Sequence, residues 1–275
     1  MELCEGANVV LACRVSPKQK AEIVHMIKDK NPTKTTLAIG DGANDVNMIT
    51  AAHIGIGISG LEGQQAARAA DYSIGQFRFL KNLLFCHGRE AYRRNSYLVC
   101  YMFYKNFMET IPLWVYGWLS LFSGTFFYNS IMYACYNVLF TAVPVVWFAV
   151  FDWEYDKRTL LKSPILYSIG LENIYFSSYV FWRWVVYAIW QAALLLVLCY
   201  EIYSLPSPFG KMGSITSTGA FVFGCIVIAV NYKLFIACTQ HCWQSVTLIL
   251  LSIGSYFGVF LILNAVPVYN DYGTF

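Results

Sequence analysis

Charge is scarce in this chain. Of its 275 residues, 13% are Asp, Glu, Lys or Arg, against 57% that are hydrophobic. Soluble globular proteins carry about 25% charged and roughly 45–50% apolar residues. A wholly soluble protein, a disordered tail and a collagen-like fibre are therefore excluded. Basic runs are missing as well: the formal net charge of +3 comes from scattered Lys and Arg, which leaves no electrostatic footprint for nucleic acid. The nine cysteines form no repeated CxxC framework. Cys100, Cys135, Cys199 and Cys225 lie inside apolar runs, where a thiol acts as a small hydrophobe rather than a disulfide staple. Cys238-x-x-His241-Cys242 has metal-like spacing but falls in a turn between apolar stretches, and no ion is expected there. The opening Met1-Glu2-Leu3 has neither the basic region nor the apolar core of a secretory signal.

What is present is unevenly spread. Residues 1–94 hold 12 of the 19 Lys and Arg and 9 of the 16 Asp and Glu, but only five aromatics; the other 43 aromatics lie between Asn95 and Phe275. This predicts a soluble domain over 1–94 and an all-α, polytopic membrane domain over 95–275. Five apolar stretches, approximately 97–122, 129–151, 179–200, 217–236 and 246–263, approach the roughly 20 residues that a membrane-spanning helix needs. Arg78, Lys81, Arg89, Arg93 and Arg94 precede the first stretch, and Lys157, Arg158 and Lys162 follow the second; Lys211 stands almost alone on the other side. By the positive-inside rule the N-terminal region faces the cytosol, and an odd number of spans puts the C-terminal end across the membrane. Trp114, Trp118, Trp153, Tyr175, Tyr179, Trp243 and Tyr269 near the stretch ends read as an interfacial belt.

Polar residues inside the stretches are sharper clues. Lys105 and Glu109 fall in the first, four residues apart and so on one helical face. A charge at that depth costs a few kcal/mol and marks a functional site by default; the alternative is that the two simply pair with each other. Asn106 and Asn137 add amides for a polar path. Pro112 and Pro144 each free a helix carbonyl within a span. The stretch 129–151 contains no Asp or Glu, whereas a cation path needs carboxylate oxygens to replace the hydration of a hard ion.

Residues 1–94 alternate strand and helix patterns. Strands are predicted over Asn8–Val15, Thr35–Ile39 and Ile54–Ile58, and helices over Pro17–Lys30, opened by Ser16-Pro17, and Ala43–Ala51. Ligands of such α/β sheets sit at the carboxyl ends of strands, which puts Gly40-Asp41-Gly42-Ala43-Asn44-Asp45 at the mouth. Asp41 and Asp45 would repel each other unless a cation lay nearby, and a few carboxylates with phosphate oxygens suit Mg²⁺. Lys20, one strand–helix unit upstream, would neutralise a phosphoryl group at the same mouth. The run Gly55-x-Gly57-x-x-Gly60-x-x-Gly63 lacks the helix-opening context of a dinucleotide loop and reads as a plain tight loop.

These motifs resemble known ones. Asp41-Gly42-x-Asn44-Asp45 with Lys20 is similar to the last two motifs of haloacid-dehalogenase-type phosphotransferases. Cys13-Arg-Val-Ser-Pro-x-Gln-Lys20 and Ile39-Gly-Asp-Gly-Ala-Asn-Asp-Val-Asn-Met48 resemble the hinge region of P-type ATPases. Gly57-Ile-Ser-Gly-x-Glu-Gly63, Asp71-Tyr-Ser-Ile74, His87-Gly88, Tyr104-Lys-Asn106 and Tyr136-Asn137-Val-x-Phe-Thr-x-x-Pro144 are similar to the type IV members, the phospholipid flippases. Val145 departs, standing where many relatives have a second proline.

The resemblance implies a C-terminal fragment of an ATP-driven translocase that moves aminophospholipid-type lipids from the exoplasmic to the cytosolic leaflet through an aspartyl-phosphate. It implies a haloacid-dehalogenase-like phosphorylation domain and five spans, the fifth to ninth of ten. Arg14, Lys20, Asn44 and Asp45 match nucleotide- and phosphate-contacting positions, and Asp41 and Asp45 the Mg²⁺ positions. Lys105 and Asn106 match residues near the transported headgroup. ATP, Mg²⁺, a phospholipid and a small two-span accessory subunit are the implied ligands and partner, in a eukaryotic endomembrane or plasma membrane. The Asp-Lys-Thr-Gly-Thr nucleophile motif is absent from this sequence, so the fragment alone is expected to be inactive. A cation-transporting P-type ATPase and a non-catalytic membrane remnant are the alternatives.

Overall fold

The computed structural model describes residues 7–60, 64–204 and 215–265. Met1–Leu3, Glu62, Gly63, Lys211 and Tyr269, each used above, lie outside the described residues. The chain divides into two compact units between Cys86 and His87.

The first unit is a small parallel α/β sheet. Helix α1 (Pro17–Lys30) begins as the sequence predicts: Gln19 N–H donates to Ser16 Oγ at 3.4 Å and Ser16 N–H to Gln19 Oε1 at 2.9 Å, a reciprocal box that closes the first turn. Strand β1 (Leu37–Gly40), helix α2 (Val46–Ala51), strand β2 (Ile54–Ile58), helix α3 (Gln65–Ala69) and strand β3 (Tyr72–Ile74) follow, with sheet order β1-β2-β3. Register pairs Leu37 with Ile54 and Gly40 with Gly57, then Ile56 with Tyr72. Ile49, Ile56 and Ala66 fill the core. Gly57 belongs to β2 rather than to a loop. A Cβ there would lie 2.5 Å from Ala67 Cα, so only glycine lets α3 lie this close to the strand.

Asn8–Val15 forms no strand. Val9, Val10 and Leu11 are exposed, and the sheet is built from 37–40, 54–58 and 72–74. β-propensity expresses itself only against a pleated neighbour and a buried face, and this run has neither. The third strand is instead β3, a three-residue strand too short to show a pattern, which pairs with β2. Helix α1 buries none of its residues. It is moored by polar contacts instead: Lys28 Nζ donates to the Ala51 carbonyl at the end of α2 at 2.9 Å, and Lys20 reaches Asp45.

The second unit is helical. Helix α4 (Arg89–Leu119) leads into a composite rod, α5 (Ser130–Cys135), a π-helical turn (Tyr136–Phe140) and α6 (Ala142–Phe151). Helix α7 (Lys157–Lys162) precedes the long α8 (Ser178–Ser204), α9 (Ile215–Ala237) and α10 (Trp243–Ala265). α8 packs on α4 and α9, and α10 packs on α9 and α6. Tyr101, Tyr104, Tyr136, Phe140, Phe148 and Phe223 are fully buried where these helices meet.

Four stretches among the described residues are long and apolar enough to cross a membrane: Ser130–Phe151, Ser178–Ile202, Ile215–Ala237 and Trp243–Ala265. Five were expected, and the first falls away. Residues 97–122 lie mostly in α4, which is long enough but carries Lys105, Asn106 and Glu109 midway, so its apolar character falls short. The argument for sidedness from an odd span number lapses with it.

One end of the helical unit is tied by buried ions. Asp152, just past α6, accepts from Arg93 Nη2 at 2.8 Å, from Thr239 Oγ1 at 2.9 Å and from the N–H groups of Thr239 and Gln240. Glu90 takes Arg89 at 2.6 Å and Arg93 at 2.9 Å.

Candidate functional site

The carboxyl end of β1 gathers the acidic motif. β1 stops at Gly40, and Ala43–Asp45 make one 3₁₀ turn that opens α2. The turn swings Asp45 back under the strand end: its Oδ2 accepts the Asp41 N–H at 3.4 Å, and its Oδ1 lies 2.7 Å from Lys20 Nζ. A Cβ on Gly40 would come within 2.3 Å of Asp45 Cβ, so the first residue of the motif is glycine by necessity. The carboxylate of Asp45 is buried and that of Asp41 exposed. Lys20 reaches this mouth because the Ser16–Gln19 box fixes the first turn of α1.

Asn44 is exposed, with its Oδ1 folded over Gly42. Arg14 is exposed in a left-handed conformation, φ 55°, ahead of α1, and makes no contact with the Lys20–Asp45 pair. Of the five residues expected at this mouth, the structure thus joins Lys20, Asp41 and Asp45, places Asn44 at the rim and leaves Arg14 apart. The donor set is hard and oxygen-only, which fits Mg²⁺ sharing phosphate and water oxygens. Among the described residues no third Asp, Glu, His or Cys joins the two aspartates.

In the helical unit, Lys105 is 2% exposed and donates to Thr141 Oγ1 at 2.9 Å. Thr141 Oγ1 donates onward to the Tyr136 carbonyl at 2.8 Å, and Tyr136 Oη to the Lys105 carbonyl at 2.9 Å. The circuit ties α4 to the π turn. Thr141 and Tyr136 were inside the motif quoted from the sequence, but nothing in the pattern showed that they would hold the lysine. Lys105 and Glu109 form no ion pair; Glu109 is buried, and its Oε1 has no hydrogen-bond partner among the described residues. Asn106 and Asn137 are exposed on their helices rather than gathered around Lys105. Lys233, a charge inside the apolar stretch 217–236, carried the same signal as Lys105 and was missed.

The profile of the family described as "Phospholipid-translocating P-type ATPase C-terminal" matches residues 67–275. This chain, with a parallel α/β unit and helices long and apolar enough to cross a membrane, belongs to that family of phospholipid-translocating P-type ATPases. Among curated proteins it is similar to Phospholipid-transporting ATPase 6 of Arabidopsis thaliana, 38% identical over 261 residues, covering 94% of this chain and 21% of the relative. It is 41% identical over 251 residues to Phospholipid-transporting ATPase DRS2 of Saccharomyces cerevisiae, covering 90% of this chain and 18% of the relative. Probable phospholipid-transporting ATPase 11 of Arabidopsis thaliana is 37% identical over 268 residues, covering 97% of this chain and 22% of its own length. The chain spans about a fifth of the length of these relatives.

Proposed function

We propose that this chain supplies the cation and phosphate end of the catalytic domain, together with a set of membrane helices, to an ATP-driven phospholipid translocase. The observation that carries the reading is the 2.7 Å contact between Lys20 and Asp45 beside Asp41 at the end of β1. On a haloacid-dehalogenase-like reading of the α/β unit, Asp41 and Asp45 would hold Mg²⁺, which would supply positive charge beside the phosphoryl group. Lys20 exchanges its hold on Asp45 for a phosphoryl oxygen, lowering the repulsion met by an incoming carboxylate nucleophile. Asn44 and Arg14 stand on the nucleotide side. The nucleophile of the aspartyl-phosphate comes from outside this sequence, so the chain by itself hydrolyses no ATP.

The buried Lys105 is the lipid-facing element of this reading. Its ammonium keeps donors beyond Thr141, and a lipid phosphate is an anion of the right chemistry. Asn106 and Asn137, amides exposed on apolar helices, border the path. The lipid is an aminophospholipid moving from the exoplasmic to the cytosolic leaflet, with residues 1–94 cytosolic and a two-span subunit as partner. A cation path is disfavoured because the rod Ser130–Phe151 presents no carboxylate.

The test is a chimera in which this chain replaces the matching residues of the Saccharomyces relative. Lipid-stimulated ATP hydrolysis should survive the replacement and be abolished by Asp41→Asn at any Mg²⁺ concentration. Turnover that is unaffected by Asp41→Asn in a well-expressed chimera would sink the assignment.

A further inference from the structure

Lys233 is a charge that none of the contacts above employs. It lies four residues before the end of α9 at Ala237, about 6 Å inside the helix terminus at roughly 1.5 Å per residue. Two residues beyond that end, Thr239 binds the ionic cluster at Asp152. The lysine is therefore close to headgroup depth rather than at the bilayer centre.

Its surroundings are aromatic. Lys233 Nζ sits 3.7 Å from the ring centroid of Tyr104 in α4, 4.2 Å from that of Trp184 and 4.3 Å from that of Tyr187, both in α8. All three are well inside the roughly 6 Å over which a ring face attracts a cation. The Tyr104 hydroxyl is held by Gln191 Oε1 at 2.5 Å, which fixes that ring. Tyr187 is half exposed, so one wall of the cage opens outward.

The fit of the occupant is poor in one respect. A primary ammonium carries three N–H donors, and Lys233 makes no ion pair and no hydrogen bond among the described residues. Three ring faces without an acceptor suit a cation that has no N–H at all. That cation is a trimethylammonium group, whose charge is spread over methyls and whose hydration shell is weak. Recognition of quaternary ammonium by aromatic cages rests on this complementarity.

We propose that Tyr104, Trp184 and Tyr187 form a binding site for a trimethylammonium group, at headgroup depth on the α4–α8–α9 surface, with Lys233 as its tethered occupant. The ligand is the choline headgroup of a phospholipid or a free choline-type cation. The site is separate from the Lys105 circuit and does not depend on the transport reading. Tyr104 and Lys105 are adjacent in sequence, yet one engages α8 and α9 and the other Thr141.

Two measurements on the purified chain test this. In the wild type, tetramethylammonium should expel Lys233 and raise its acetylation by an amine-reactive ester several-fold; an unchanged rate at saturating tetramethylammonium would overturn the site. In nanodiscs of phosphatidylglycerol doped equally with phosphatidylcholine and phosphatidylethanolamine, native mass spectrometry should show Lys233→Ala retaining the choline lipid at least tenfold over the ethanolamine lipid. Trp184→Leu in that background should erase the preference. No preference in Lys233→Ala, or one that survives Trp184→Leu, counts against a lipid ligand. If tetramethylammonium and free choline both expel the lysine while no choline lipid is retained, the ligand is the soluble cation. The wild-type acetylation assay decides the site even if the variants do not fold.

Discussion

Asn231 donates its side-chain amide to the carbonyl that Pro144 leaves without a helical partner. Proline has no N–H, so the carbonyl four residues earlier, that of Phe140, is free. Asn231 Nδ2 in α9 lies 2.9 Å from it, and Ser252 Oγ in α10 donates to the same oxygen. The end of the π turn in the rod is thus tied to two neighbouring helices at one atom.

This sharing predicts a non-additive pair. Asn231→Leu or Ser252→Ala alone leaves the carbonyl one donor and should cost under about 1 kcal/mol. The double variant leaves a buried acceptor bare, with an expected loss of about 1–3 kcal/mol. Thermal unfolding of the purified chain in detergent reads both; additive losses would show that the carbonyl is satisfied some other way.

Asp152 faces a buried guanidinium, so removing it alone is costly. Asp152→Ala should destabilise the helical unit by about 1–3 kcal/mol, because Arg93 keeps only Glu90, which it shares with Arg89, and the N–H groups of Thr239 and Gln240 lose their acceptor. Pairing it with Arg93→Met should recover much of that loss. Equal melting of Asp152→Ala and wild type would show the ionic cluster to be hydrated rather than buried.

Glu109 gives a prediction of opposite sign. A buried carboxylate oxygen with no partner is unfavourable, and the amide of Glu109→Gln removes the charge while keeping the shape. The variant should melt higher than wild type by about 1 kcal/mol or more in stability. A lower melting temperature would mean that Glu109 is held by a partner in the folded chain.

Gly40→Ala should weaken Mg²⁺-dependent chemistry without unfolding the membrane helices. The new methyl group would press on Asp45, so the carboxylate has to leave its place beside Lys20. Circular dichroism of the isolated chain should hardly change, while the chimera with the Saccharomyces relative should lose most of its lipid-stimulated turnover. Full turnover in that variant would mean that Asp45 can move without consequence.

Much of this architecture was legible wherever local signals and burial agree. The Ser16–Gln19 box and the helix behind it follow from a cap, a proline and a periodic face. Lys20 meets Asp45 because α1 runs into β1 through a short connection, which brings the start of the helix beside the end of the strand. Asn8–Val15 misled because apolar β-branched residues look the same with or without a sheet edge to join. The stretch 97–122 misled because its aromatics raise apparent apolarity while Lys105 and Glu109 take it away. The aromatic cage around Lys233 could not be read at all, since it is assembled from three helices whose contact is a matter of packing rather than of spacing.

Gly40 and Gly57 are partners in the β1–β2 ladder, at the end of the sheet where the aspartates gather. The floor of the mouth is consequently bare main chain, with α3 resting directly on it. Side-chain replacement cannot deepen this floor or recolour its charge; it can only obstruct it. The chemistry of the mouth is therefore left to the side chains around this floor, Lys20, Asp41, Asn44 and Asp45. A substitution that alters the charge of this mouth without blocking it has to fall on one of those four.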